Sequence, residues 1–289
     1  VLPDTPSGVS GGSKLTKITD GSVSFDGTSD SLTFTSTSDV SLDGDFTIEF
    51  WAYPNTIAND SSDPSPITMP TDGSAKSQIY IHTTNFNYNL HKSSAIVSTL
   101  SNTAVTNRWQ HVAFTRSGTT VYAFFDGVLQ NTATSSATFG GTSGTFRLGS
   151  FTADNGNYNG YMSNVRIVKG TALYTSNFTP PTRALTNVTN TKLLCCQSNT
   201  SATEGAVKPG NITANGNAVA TNFNPYITDI NTVRGQETGY ATFNPNFGVG
   251  RQDELTYSNG NLRVRSAATG GNDTTAVSTL PIRGKIYCE

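Results

Sequence analysis

The stretch that decides the fold runs from Arg108 to Gln130: R-W-Q-H-V-A-F-T-R-S-G-T-T-V-Y-A-F-F-D-G-V-L-Q. It reads as strand, turn, strand, turn, strand. Ser117-Gly118 and Asp126-Gly127 are the turns, and Asp-Gly supplies the positive φ angles that a two-residue hairpin needs. The runs beside them, H-V-A-F-T and V-Y-A-F-F, mix aromatic and β-branched residues, which suit a pleated, half-buried surface. Three strands joined by such turns form an antiparallel meander.

The same texture extends in both directions. Ser22–Asp26 and Leu32–Ser36 alternate and are separated by Gly-Thr-Ser-Asp, which predicts a hairpin-like pair. Phe46–Tyr53 alternates without a break. Phe46, Ile48, Phe50 and Ala52 share one face; Thr47, Glu49, Trp51 and Tyr53 share the other. Aromatic residues on both faces predict a central strand covered on each side, ended by Pro54. Residues 55–75 hold three Pro among Asp and Ser and predict a long loop. Further strands are expected at Gln78–His82, Phe86–Leu90, Ala95–Leu100, Thr145–Gly149, Gly160–Lys169 and Leu193–Gln197, with a helical turn at Ala172–Phe178. No amphipathic helix of useful length is present. Many short strands with turn punctuation predict an all-β, two-sheet antiparallel sandwich.

The texture changes near residue 201. The expected organisation is a linker or edge extension over 1–20, a sandwich domain over 21–200, a linker with a hairpin at Asn215-Gly216 over 201–250, and the beginning of a second β-sandwich over 251–289. In that last part, Leu255–Tyr257 and Leu262–Arg265 flank a turn at Ser258-Asn259-Gly260-Asn261. The first residue is Val1, and the last run, G-K-I-Y-C-E, reads as a strand. Both suggest a segment of a longer protein with its second sandwich truncated.

Composition excludes several function classes. Charged residues are 13 % and the net charge is −2, so no basic face for nucleic acid is expected. No apolar run is long enough for a membrane span. Ser, Thr and Asn make up roughly a third of the chain, far above ordinary usage, and they suit solvent-facing strand positions and turns. The 15 Phe and 11 Tyr supply large buried areas per residue. Of the three cysteines, Cys195 and Cys196 are adjacent and Cys288 is remote. Neighbouring cysteines make a strained ring, and metal sites want spaced ligands. All three read as small hydrophobes.

Five motifs carry a family resemblance: S-V-S-F-D-G (22–27), D-F-T-I-E-F-W-A-Y-P (45–54), W-Q-H-V-A-F-T-R-S-G (109–118), F-D-G (125–127) and G-Y-M-S-N-V-R-I-V-K-G-T-A-L-Y (160–174). Residues 22–200 resemble the laminin-G-like, concanavalin A-like jelly-roll family. The version with V-R-I-V-K-G-T-A-L-Y-T-S-N-F-T-P-P-T followed by L-L-C-C-Q-S-N resembles virion proteins of tailed bacteriophages. Residues 255–289 resemble the opening of a SPRY-like domain, through S-N-G-N-L (258–262) and G-K-I-Y-C-E (284–289). The resemblance implies a structural protein on the exterior of a phage particle, in a tail fibre or capsid appendage. Its implied partners are other virion proteins, copies of itself (a trimer if a fibre) and host surface glycans. The alternative is a carbohydrate-binding, lectin-like module of a secreted or surface adhesin.

Relatives of this fold include glucanases, so catalysis has to be weighed. A retaining glycosidase needs two carboxylates about 5 Å apart. Asp45 and Glu49 lie at i, i+4, but position 47 is Thr and the alternating acidic pattern is absent. Glu49 reads as the partner of a cation or the cap of a cross-strand hydrogen bond, and no enzyme activity is expected. His82, His91 and His111 are isolated in sequence and read as structural, and Trp51 and Trp109 as core. A sugar needs an aromatic platform with amide or carboxylate partners, usually on loops. Two loops offer them: Asn85, Asn87 and Tyr88 in one, Asp154, Asn155, Asn157 and Tyr158 in the other. No cofactor is expected, except that the resemblance implies Ca²⁺ at the rim, through Asp154 with Asn155 or Asp26 with Asp30.

Overall fold

A computed structural model describes residues 20–58, 62–70 and 77–226, and the strands Phe243–Val249, Leu255–Ser258, Arg263–Ser266 and Thr275–Ser278 beyond them. Residues 1–19 of the linker or edge extension expected over 1–20, and the strand expected at G-K-I-Y-C-E (284–289), lie outside the described residues. The chain divides into two compact units, Val1–Tyr226 and Ile227–Glu289.

The first unit runs β1 (Ser22–Asp26), β2 (Ser31–Thr35), a single 3₁₀ turn at Ser38–Val40, β3 (Phe46–Pro54), β4 (Ile67–Met69), β5 (Ser77–His82) and β6 (Asn87–Lys92). It continues through β7 (Ser94–Ser98), β8 (Gln110–Ser117), β9 (Thr120–Phe125), β10 (Val128–Thr134), β11 (Thr145–Leu148) and β12 (Asn159–Lys169). Last come β13 (Thr191–Cys195), β14 (Gly205–Val207), β15 (Thr213–Asn215) and β16 (Val219–Thr221). Two antiparallel sheets form, and the jelly-roll sandwich expected from the sequence is present. The first sheet has the order β10-β9-β8-β3-β12-β1-β16, with β13 and β14 attached beside β12; the second has the order β15-β2-β11-β4-β5-β6-β7.

The Arg108–Gln130 meander is β8-β9-β10. Asp126 and Gly127 both have positive φ (47° and 77°), as a type I′ turn demands, while at the other turn only Gly118 does (58°), the II′ pattern. The long strand β12 pairs with β3 on one side and forks on the other. Its first half pairs with β1 and its second half with β13, and the ladder to β3 shifts register between Ser163 and Arg166, around Asn164 at φ 53°. That bulge is what lets one strand serve two partners.

The core lies between the sheets. Phe46, Ile48, Phe50 and Ala52 are fully buried, and they meet Phe139, Tyr88 and the inward residues of the second sheet. Phe34 stacks on Phe146 at 4.5 Å between ring centroids.

Five sequence expectations are corrected. β1 and β2 are not a hairpin: β1 belongs to the first sheet and β2 to the second, so residues 27–30 form a corner between the layers. Asn215-Gly216 is likewise a corner, because β15 pairs with β2 and β16 with β1. The two corners pack together, with Asp30 Oδ1 accepting from Asn217 N, and a Cβ on Gly216 (φ +65°) would meet that oxygen at 2.4 Å. Turn chemistry specifies a reversal, but not whether the returning strand rejoins the same layer. Residues 205–221, expected within a linker, therefore supply edge strands to both sheets of the sandwich. Finally, P-I-T-M at 66–69 falls inside the expected loop yet forms β4, a central strand of the second sheet. Three residues flanked by Pro are too few to show a period. The segment 172–178 contains no helical turn.

In the second unit, Phe243–Val249 pairs with Thr275–Ser278, and Leu255–Ser258 pairs with Arg263–Ser266, all antiparallel. The latter is the hairpin expected from Ser258-Asn259-Gly260-Asn261.

Candidate functional site

Each sheet has an outer face, and the two differ. On the first sheet, Glu49 points outward yet is wholly buried. Arg166 donates to its Oε1 through Nε (2.9 Å) and Nη2 (2.6 Å), while His111 Nε2 (3.2 Å) and the Tyr174 hydroxyl (3.1 Å) reach Oε2. Burial by itself would raise the Glu49 pKa, but His111 and Arg166 outweigh it and hold the carboxyl below its ordinary value. Tyr174 comes from the segment that follows β12 and lies across this face. Thr115 and Thr47 bind that segment too, through Tyr174 O and Thr171 O. Glu49 thus has the cation partner read from sequence, and it acts as an internal anchor. Further along the face, Phe223 sits 4.9 Å from Tyr53, 4.9 Å from Tyr161 and 5.2 Å from Trp109, and Tyr226 stands edge-on to Trp51. Trp51 and Trp109, expected in the core, are half-buried on this outer face instead, beneath residues of the 222–226 segment.

Among the described residues, no such cover lies over the β15-β2-β11 end of the second sheet's outer face. Alternation sends Leu32, Phe34, Phe146 and Leu148 inward, so Ser31, Thr33, Thr145 and Arg147 point outward. Register then aligns Thr213, Thr33, Arg147, Thr68, Gln78 and His91 in one rank across six strands. At about 4.8 Å per strand the rank is roughly 24 Å long, the length of several linked sugar rings. Tyr80 and Asn89 form a neighbouring pair, and Tyr80 lies edge-on to His91 at 5.8 Å. Around Arg147 the face deepens to a groove of ≈ 400 Å³ lined by Ser29, Ser31, Thr33, Thr145, Arg147, Ala153 and Asn215. Asn215 Nδ2 donates to Thr33 Oγ1 (3.0 Å) and Ser31 O (3.2 Å), which fixes the amide with its Oδ1 free to accept. The Arg147 guanidinium has no ion pair or hydrogen bond among the described residues. No acidic residue lines the groove.

Of the two loops singled out from sequence, the first lies between and along β5 and β6 of this second sheet, the other leads from β11 across to β12 of the first sheet, and the 62–66 segment is bonded to both. Asp63 Oδ1 accepts from Thr83 N and Thr83 Oγ1 beside the first loop, and Ser65 N donates to Gly156 O in the second. Individual residues fare differently. Asn85 and Asp154 are exposed, and Asn155 is half-buried with its carbonyl oxygen capping Phe151 N and Thr152 N. Asn87 is buried and donates to Thr99 O at 3.0 Å. Asn157 is also buried. Tyr88 and Tyr158 are fully buried core residues, packed against Phe50 and Phe25, so neither ring has a face to offer a ligand. An aromatic in an Asn-rich run reads as an exposed platform, but the fold turns both rings inward. The sequence reading missed Arg147, Thr33 and Asn215. Arg147 does occupy the polar phase of T-F-R-L, but only sheet register shows what stands beside it.

Of the two Ca²⁺ pairs, Asp26 with Asp30 caps turns, while the Asp154 side chain is exposed. Asp26 Oδ1 accepts from Thr28 N and Oγ1, and Asp30 Oδ2 accepts from Asp26 N. Among the described residues no three His, Cys, Asp or Glu side chains gather in a metal-binding group. Cys195 and Cys196 are buried free thiols, their sulfurs 3.6 Å apart.

Two facing antiparallel sheets in this strand order, with a polar outer face on one of them, define a jelly-roll of lectin-like architecture. The chain belongs to the concanavalin A-like lectin/glucanases superfamily, whose family model matches residues 26–174. Among solved structures, it is similar to a heptameric SAP-like pentraxin from Limulus polyphemus (14 % identity, 73 % of this chain and 99 % of that one, TM-score 0.47). It is also similar to a putative carbohydrate binding protein from Bacteroides ovatus (16 % identity, 71 % and 60 %, TM-score 0.48) and to domains LG4-5 of the mouse laminin alpha1 chain (12 %, 62 % and 46 %, TM-score 0.42). No curated protein matches the sequence.

Proposed function

We propose that the first unit is a non-catalytic carbohydrate-binding module whose glycan lies along the outer face of the second sheet. One observation carries this reading. The fold satisfies its buried charges on the first sheet, yet leaves a polar groove on the second, with an unpaired Arg147 beside free hydroxyl and amide groups. Glycan sites use such convergent polar groups on a rigid scaffold. The carboxylates support binding rather than turnover. Among the described residues the buried acids are Asp30 and Glu49; both are saturated by hydrogen bonds, and neither lines the groove. A glycan array probed with the full chain tests the reading. Binding that free sugar competes away supports it, and silence across the array overturns it.

The setting we propose is the outside of a tailed-phage particle, with the module held in a tail fibre or capsid appendage that assembles from several copies. The C-terminal part would open a second, SPRY-like sandwich. What supports this is the run from Gly160 to Tyr174 and the L-L-C-C-Q-S-N motif at 193–199, together with the paired strands Leu255–Ser258 and Arg263–Ser266. Mass spectrometry of purified particles is the check: recovery of these peptides from intact virions supports the setting, and their absence removes it while leaving the lectin reading untouched.

A further inference from the structure

Resting on the carbohydrate-binding reading, we infer that the groove at Arg147 selects glycans that carry a carboxylate. Four observations combine. First, Arg147 is the cation of the groove, and no described residue neutralises it. The other buried or half-buried cations among the described residues are treated differently: Arg166 is paired with Glu49, Arg116 donates to Gly44 O and Ala137 O, Lys92 donates to Thr138 O, and Lys169 and Lys192 pair with Asp43 and Asp39. A partly buried guanidinium left without an acceptor forgoes hydrogen bonds that a ligand can restore. Second, the groove has no acid of its own. Asp30, between the lining residues Ser29 and Ser31 in sequence, is buried, and its two carboxylate oxygens accept from the backbone N–H groups of Asp26 and Asn217. Asp154, next to Ala153 on the wall, is exposed to solvent and forms no ion pair with Arg147.

Third, the geometry suits a planar anion. Arg147 stands in register between Thr33 and Thr68, on a strand whose neighbours hold it at fixed spacing. Guanidinium and carboxylate match as a two-point pair, which a neutral hydroxyl does not reproduce. Fourth, the groups around it are those a sugar ring needs. The Thr33 hydroxyl, which already accepts from Asn215 Nδ2, has its proton left to donate, and Asn215 Oδ1 is left to accept. A carboxylate on Arg147 with ring hydroxyls on Thr33 and Asn215 uses every one of these groups. Uronic acids and sialic acids share this chemistry and differ in where the carboxylate sits on the ring.

The test is an array on which each carboxylated glycan is printed beside its neutral counterpart, as methyl ester or parent sugar, probed with the full chain at fixed ionic strength. Uronate-bearing and sialic acid-bearing pairs separate the two sources. The carboxylated member should bind at least tenfold tighter. Arg147→Gln should abolish that preference without changing the melting temperature, and Arg147→Lys should retain part of it. Equal binding of both members, a preference that survives Arg147→Gln, or displacement by sodium sulfate alone would overturn the inference while the carbohydrate-binding reading stands. An array with no bound glycan of either kind would overturn both.

Discussion

The two outer faces of the sandwich have similar strand chemistry and opposite fates. On the first sheet an outward glutamate is fully buried, paired with Arg166 and His111, and roofed by the segment that brings Tyr174. Aromatic residues further along are covered by Phe223 and Tyr226. On the second sheet an outward arginine stands in a groove with no partner among the described residues. Around Glu49 and the Trp51–Phe223 cluster the first face is closed by the chain itself and works as part of the interior. The other is finished as a surface. Burying a charge costs so much that it is paired wherever the chain roofs it. An unpaired charge beside free hydroxyls therefore marks the face that the fold does not use for its own stability.

The comparison can be broken most forcefully at Glu49. Glu49→Gln leaves Arg166 buried without its counter-charge and should lower stability by about 3–5 kcal/mol, the usual cost of breaking a buried pair, read as a drop in urea midpoint. The same group sets an acid limit. Its folded-state pKa lies below the ordinary value of 4.5, so its contribution is present above pH 4.5 and is lost as pH falls through the lower, folded-state value. Urea midpoints should fall from pH 5 towards pH 3, and less steeply in the Gln variant. An unchanged midpoint in that variant would mean that the first face is not closed by charge. A smaller effect is expected at Phe223, which is 36 % exposed. Phe223→Ala should cost about 1–2 kcal/mol from lost apolar burial, and it should raise hydrogen-exchange rates in residues 219–226 while leaving β8 and β9 unchanged. The smallest effect belongs to the second face. Arg147→Gln should change stability by less than about 0.5 kcal/mol, as for surface positions without a partner. A large loss there would show that Arg147 serves the fold, and the contrast between the faces would collapse.

Much of the fold was legible because strand chemistry is local. The alternation of Phe46–Tyr53, the turns at Gly118 and Asp126-Gly127, and the outward position of Glu49 all follow from period and backbone preference. Less of the site was legible. Tyr88 and Tyr158 sit among polar residues and read as exposed, although both fall on the inward phase of the chain. The corners at 27–30 and 215–218 look like hairpins, because a tight turn has the same chemistry whether the chain stays in its sheet or changes layer.

By itself, then, the order of residues determined the all-β fold class, the alternation along its strands, and that its charges would be few. Tertiary structure alone decided which strands became neighbours. That choice brought Asn215 beside Thr33 across a separation of 182 residues, and it set Arg147 in one rank with Thr33 and Thr68. The reason is physical. Alternation along a strand is written by adjacent residues, whereas a binding surface on a sheet is written across strands, by hydrogen-bond register between segments that are remote in sequence.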